Sequence, residues 1–210
     1  MKRNIILVGG FPETIELCEL CDLNIVGIID NKINDSIMGY SVIGKDEDAK
    51  KLFSQFENAE CVITPDNPQL REKLYNYYKG IGYKIGSVIS PHAYISQSAV
   101  IGEGSIIQSF CNVSTNCRIG RLVKLNTYAN VMHDVSIDDF ATIAPNAVCL
   151  GYVKIGKKAY IGSNSTIIQN NNIGEGVVVG AGAVVTKDIV DNDIVVGVPA
   201  KTMNKEEIIK

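Results

Sequence analysis

From Tyr94 onward the chain divides without a gap into sixteen blocks of six residues, beginning YISQSA, VIGEGS, IIQSFC and ending VVTKDI. The second residue of every block is Ile, Leu or Val, with Cys149 the single exception. Four positions further on stands a mostly small residue, such as Ala99, Ser105, Cys111, Cys117, Ala129, Ala147, Ala159 or Ala183. A period of six matches neither the 3.6-residue turn of a helix nor plain strand alternation. One large and one small inward residue per block, with Gly at many bends, suit short strands wrapped around a narrow triangular core. The repeat therefore predicts a parallel β-helix built of hexapeptides, three blocks to a coil, with coils about 4.8 Å apart. Five coils give a prism roughly 25 Å tall by strand spacing.

Residues 1 to 90 have a different texture. NIILVGG is an apolar run closed by Gly9 and Gly10, PETIELCELC has helical periodicity, and NIVGIID ends on Asp30. Strand, Gly turn, helix and strand with a terminal acid about twenty residues on form a Rossmann-like half-motif for a nucleotide. The full G-x-G-x-x-G is absent, with Pro12 and Glu13 where a third glycine would fall. DEDAKKLFSQF reads as a helix, ECVITPD as a strand and KIGSVIS as a last parallel strand. In NPQLREKLYNYYKGIG, Asn67 is placed to cap, Pro68 to open the helix, and Leu70, Leu74 and Tyr78 to bury one face. Strand ends near Gly9 to Phe11, Asp30 to Lys32 and Pro65 to Asn67 should share one edge, where open α/β sheets bind ligands. A plain α/β module without a ligand is the alternative. The expected organisation is thus an α/β Rossmann-like domain over 1–90 and an all-β domain over 91–210 with a short C-terminal tail.

Composition narrows the partners. Twenty Lys and Arg against twenty-three Asp and Glu, evenly scattered, leave no electrostatic footprint for nucleic acid or an anionic membrane. No window reaches the roughly 18 apolar residues of a membrane span, and MKRNIILVGGF reads as a first strand, so a cytoplasmic location is expected. The six cysteines include one C-x-x-C, Cys18 and Cys21, but no second Cys or His pair completes a zinc site. Reduced thiols used as small hydrophobes, and no metal, are expected.

Only two histidines occur. His92 follows Pro91 at the domain junction and reads as a turn residue. His133 lies two residues past the inward Val131, so it should face outward at a corner of the prism. Gly151 is eighteen residues on, one coil later, and stacks over it. Acyl transfer from a thioester needs a proton acceptor near neutrality and donors for an oxyanion; an imidazole and a bare backbone N–H supply both. Asp134 would fix the ring's tautomer or stabilise the imidazolium. Taken alone, the pair fits a solvated surface corner as well as a catalytic dyad.

A small Rossmann-like domain joined to such a prism, with HD in the coil, YIGSNSTI later and GVPAK near the end, resembles the acetyl-CoA-dependent acyltransferases of bacterial surface-sugar biosynthesis. The resemblance covers the whole chain and includes UDP-4-amino-sugar and GDP-perosamine N-acetyltransferases and sialic-acid O-acetyltransferases. It implies a left-handed prism and a homotrimer with sites between subunits. It implies acetyl-CoA as co-substrate and a UDP-, dTDP- or GDP-linked 4-amino-4,6-dideoxy sugar as acceptor. By position His133 matches the base, Asp134 its acidic neighbour, Asn126 a residue near the acceptor sugar, and Gly151 the donor to the acetyl carbonyl. Gly180, Ala181, Lys187, Gly197, Pro199 and Lys201 match the CoA groove. Gly9, Gly10, Phe11, Asp30, Asn31, Lys32 and Asp66 fall in the nucleotide-sugar pocket. Thr142 stands where some members carry a second histidine, and Pro12-Glu13 departs from the usual first turn. O-acetylation of a sugar hydroxyl and a non-enzymatic scaffold in a biosynthetic complex remain the alternatives.

Overall fold

The computed structural model describes residues 2–203, which fall into two compact units divided between Pro91 and His92. In the first unit β1 (Asn4–Val8) lies inside a sheet whose order is β3-β4-β2-β1-β5-β6, with β2 at Asn24–Ile29, β3 at Ser36–Ile37, β4 at Tyr40–Gly44, β5 at Glu60–Ile63 and β6 at Lys84–Ile85. All neighbours are parallel except the β3–β4 pair. Ile5, Ile6 and Leu7 are fully buried, as a strand covered on both faces requires. Because β2 and β5 flank β1 on opposite sides, the chain reverses its winding direction at the carboxyl end of β1, which opens a crevice there.

Helix α1 (Pro12–Leu20) begins on Pro12, whose missing N–H costs nothing at the first helical position. Helix α2 spans Ala49–Gln55 after a 3-10 turn at Asp46–Asp48. Helix α3 spans Pro68–Ile81, with the Asn67 side chain accepting the Leu70 N–H at 2.9 Å. Leu74 and Tyr78 are buried, but Leu70 is 42% exposed. It sits in the first turn, where the helix meets the open strand edge, and Arg71 takes the inward place instead. The Arg71 guanidinium is fully buried and donates to the carbonyls of Pro65 and Asp66, pinning the β5–α3 loop. The β3–β4 hairpin was not anticipated: Met38, at φ +51, fills a turn position where Asn or Asp is the usual signal.

The second unit is a parallel β-helix of two-residue strands. One face stacks Ile106–Ile107, Lys124–Leu125, Thr142–Ile143, Tyr160–Ile161 and Val178–Val179, ending on Ile194–Val196. A second runs from Tyr94–Ile95 through Asn112–Val113, Asn130–Val131, Val148–Cys149 and Thr166–Ile167 to Val184–Val185. A third runs from Val100–Ile101 to Asn172–Ile173. Partners lie eighteen residues apart, Asn112 to Asn130 to Val148 for example. The inward aliphatics from Ile107 to Val185 and the small residues between them form one core. Cys111, Cys117 and Cys149 are among these, so the three thiols are packing groups as the repeat implied. Near the end the coil loses two residues, for Ile173 bridges Ile189 and Val178 pairs with Ile194.

Bends differ from the expectation that glycine would serve them. The fifth residue of each block adopts positive φ from Gly104 to Gly182, yet most are not glycine: Phe110, Leu122, Tyr128, Asp134 and Tyr152 are examples. Each costs about 1 kcal/mol in the left-handed region, outweighed by a stacked backbone ladder that permits no other turn. Glycine is needed instead at certain third positions, such as Gly102, Gly120 and Gly156, where a side chain would run into the next coil. A Cβ on Gly102 would lie 2.5 Å from the backbone of Gly120.

Candidate active site

His133 and Asp134 follow the strand Asn130–Val131 on the second face. Val131 and Val135, both inward and buried, fix the chain on either side, and Asp134 turns it at φ +59. The corner is tied to its neighbours by Asp134 N–H to the Thr115 carbonyl at 2.9 Å and Tyr152 N–H to the His133 carbonyl at 3.2 Å. The ring therefore leaves the prism at a fixed place, 47% exposed.

Asp134 Oδ2 lies 3.0 Å from His133 Nδ1, and Asn116 Nδ2 donates to Oδ1 at 3.2 Å. The hydrogen bond from His133 foremost, then those from Asn116 and Tyr152 with the attraction of the ring's charge, hold the carboxyl below its usual range. An ionised carboxylate only accepts, so Nδ1 carries the hydrogen and Nε2 keeps its lone pair in the neutral ring. Tyr152 meets the imidazole edge-on, centroids 5.3 Å apart.

Gly151 does lie in register with His133, but not to leave space for a ligand. The imidazole itself occupies that space: a Cβ on Gly151 would stand 2.5 Å from Cε1 and 2.8 Å from Nε2. The Gly151 N–H donates to no acceptor among the described residues. Beside it opens a groove of about 400 Å³ lined by Met132, His133, Leu150, Gly151, Tyr152, Gln169 and Asn170. The sequence reading passed over Tyr152, Gln169 and Asn170, although counting eighteen or thirty-six residues on from His133 or Asp134 reaches each of them. Lys187, eighteen beyond Gln169 in sequence and exposed, stands in the next bend, after Val184–Val185, which is two residues shorter.

The other predicted residues do not gather here. Asn126 follows Leu125 of the first face, so it occupies a different corner from His133. Gly180 and Ala181 follow Val179 at that same corner. Gly197 accepts from Val184 N–H at 3.0 Å, and Ala200, after Pro199, donates to the Val184 carbonyl at 2.8 Å. Lys201 is exposed on a short strand antiparallel to Ile194–Val196, whose Val196 packs against Gly180. Thr142 is buried in the first face. His92 is exposed in a turn and stacks on Phe110 at 5.9 Å. Burial pushes the Cys111 and Cys149 thiols up to about 12, leaving them poor nucleophiles.

At the carboxyl edge of the first unit a pocket of about 200 Å³ is lined by Gly9, Phe11, Asp30, Asn31 and Lys32, together with Val8, Ile29, Asp46, Pro65, Leu70 and Leu74. Gly10 stands behind it: its N–H donates to Asp30 Oδ2 at 2.9 Å, and its missing side chain admits Ile37. Asp66 is exposed and outside the lining. Asp30 also accepts from Lys32 and Ile33 N–H. Burial alone would raise its pKa, but these three backbone bonds and the Lys32 charge lower it. Among the described residues no group of three or more metal-binding side chains occurs, and no helix is long and apolar enough to cross a membrane.

No family model matches the chain. Over 94 residues it is 38% identical to GDP-perosamine N-acetyltransferase of Escherichia coli O157:H7, a match spanning 45% of this chain and 42% of that protein. The acetyltransferase domain of PglB from Neisseria gonorrhoeae is 30% identical over 96% of this chain and 100% of the domain, with a TM-score of 0.90. PerB from Caulobacter crescentus, solved with CoA and GDP-perosamine, is 28% identical over 96% of this chain and 97% of its own, with a TM-score of 0.91. The chain belongs to the bacterial sugar N-acetyltransferases of the hexapeptide family, a group of acyltransferases.

Proposed function

We propose that this protein transfers the acetyl group of acetyl-CoA to the amine of a nucleotide-linked 4-amino-4,6-dideoxy sugar, with His133 as general base. The observation that carries the reading is the Nδ1–Asp134 bond, which leaves the lone pair of Nε2 beside the unpartnered N–H of Gly151. A neutral sugar amine attacks the thioester carbonyl and forms the C–N bond. Nε2 takes the ammonium proton, the Gly151 N–H holds the oxyanion, and the C–S bond breaks. The imidazolium then returns its proton to the CoA thiolate. The groove along Gly151 and Gln169 offers the CoA arm a track along the prism, with the Lys187 cation in the next bend beyond it. Gly180, Ala181 and the Gly197–Lys201 segment would flank the arm from another copy. The relatives crystallised with CoA or acetyl-CoA support this choice of co-substrate.

Asn126 lies on a different corner from His133, so it can serve the acceptor sugar there only from a second subunit. A left-handed prism assembled as a homotrimer, with sites completed between subunits, accommodates this. We read the first unit as Rossmann-like, its pocket taking the nucleotide through Gly9, Phe11, Asp30 and Lys32. The test is to offer acetyl-CoA with UDP-, dTDP- and GDP-linked amino sugars and follow thiol release. Transfer to one of them, cut by roughly two to four orders of magnitude in His133→Asn, is the expected result. Full turnover in that variant would refute the base assignment.

A further inference from the structure

We infer that the pocket of the first unit is shaped for a guanine base, so that the amino sugar arrives on a guanosine diphosphate carrier. This rests on the functional reading above and names its substrate class. Two carboxylates line an otherwise largely apolar slot, and they are held differently. Asp30 is bound by backbone N–H groups at the end of β2, the position from which an acid meets ribose hydroxyls in open α/β sheets. Asp46 is held by side chains. Its Oδ2 accepts from Asn31 Nδ2 at 2.7 Å and its Oδ1 from the Tyr78 hydroxyl at 2.7 Å.

Its backbone is fixed as well, the N–H donating to Asn31 Oδ1 at 3.0 Å and the carbonyl accepting from the Tyr77 hydroxyl at 3.0 Å. Tyr78 is completely buried, so the acid cannot swing away without disturbing the core. Asn31 is consequently a strut for Asp46, and its own polar atoms are largely committed.

Each oxygen of Asp46 keeps one acceptor site. A fixed carboxylate among Leu70, Leu74, Phe11 and Ile29 favours a base edge presenting two adjacent N–H donors. Guanine does so with N1–H and its 2-amino group. Uracil and thymine present one N–H between two carbonyls, which the carboxylate repels. Adenine and cytosine pair each amine with a ring-nitrogen acceptor, which the second oxygen opposes. Curated and structural relatives named for GDP-perosamine are consistent with this choice.

Calorimetric titration of the full chain with GDP, IDP, UDP, dTDP, ADP and CDP tests it. IDP retains N1–H but lacks the 2-amino group, and is expected to bind about tenfold more weakly than GDP. UDP and dTDP should be at least about tenfold weaker too, and Asp46→Asn should lower GDP affinity by a similar factor. Should that variant misfold, the GDP-to-IDP ratio of the unaltered protein decides. Equal binding of GDP and IDP, UDP or dTDP binding as tightly as GDP, or no binding by any diphosphate would overturn the assignment. Acetylation of a UDP-linked sugar with GDP-linked ones ignored would also overturn it, while leaving acetyl transfer intact. Selective GDP binding with no acetylation of any nucleotide-linked amino sugar would do the reverse.

Discussion

The imidazole of His133 occupies the space that a side chain on Gly151 would fill, its Cε1 only 2.5 Å from where a Cβ would stand. Glycine is thus required by the ring, one coil away, and not by its own backbone angles. Gly151→Ala should displace the imidazole and break its bond to Asp134. Because the ring is half-exposed it can swing outward, so the stability loss should stay near the low end of overpacking, about 1 kcal/mol. Turnover should fall by about a hundredfold or more. Steady-state kinetics beside a thermal melt separate the two effects; a variant with unaltered kcat/KM would remove the ring from the mechanism.

Tyr152 packs its ring nearly perpendicular to the imidazole, and its hydroxyl helps keep Asp134 ionised. In the proposed mechanism it would position the carboxylate and take no proton from substrate itself. Tyr152→Phe keeps the ring contact and removes the hydroxyl. A fall in kcat/KM of roughly three- to tenfold is expected from one lost bond, with the acid limb of the pH profile displaced because Asp134 supports the imidazolium less well. Leucine at the same position should do worse; an identical pH profile in both variants would reduce Tyr152 to packing.

Acid should loosen the first unit through Asp30. Its folded pKa is lowered, so its contribution is present above the unfolded value of about 4 and is lost as pH falls through the lower folded value. In Asp30→Asn the amide cannot accept at both ends, leaving the Gly10 N–H or the Lys32 and Ile33 pair unbonded. A loss of about 1 kcal/mol, discounted for the partial exposure of the site, is expected at neutral pH. The difference from the unaltered protein should shrink as the pH is lowered from neutrality through the folded value into acid. Urea melts across that range provide the check, and a constant difference would contradict the linkage.

Direct transfer requires no thiol. Cys149→Ala removes a fully buried sulfur and should cost about 1 to 2 kcal/mol as a small cavity, with turnover at the temperature of full folding unchanged. A well-folded variant without activity would replace the direct scheme with a covalent one.

The inward half of the second unit was legible before any coordinates. Each block must bury one large and one small side chain, and Ile107 through Val185 do so without a break in register. The stacking of Gly151 on His133 was legible for the same reason. Leu70 and the β3–β4 hairpin were not, because a helix's first turn and a two-residue turn led by Met38 carry weak local signals that packing overrides. Asp46 was invisible as part of a pocket, since it joins Asn31 and Tyr78 only through the strand order of the sheet.

By itself the sequence determined the six-residue period, because burial enforces it at every rung and one slipped residue would turn the whole inward set to water. Tertiary structure decided which outward groups meet. Asn116, His133, Asp134 and Tyr152 are spread over thirty-seven residues and become one cluster only because an eighteen-residue coil returns each to the same corner. Nothing is buried in that choice of side chain, so no hydrophobic pattern records it, and only the geometry of the coil brings the four together.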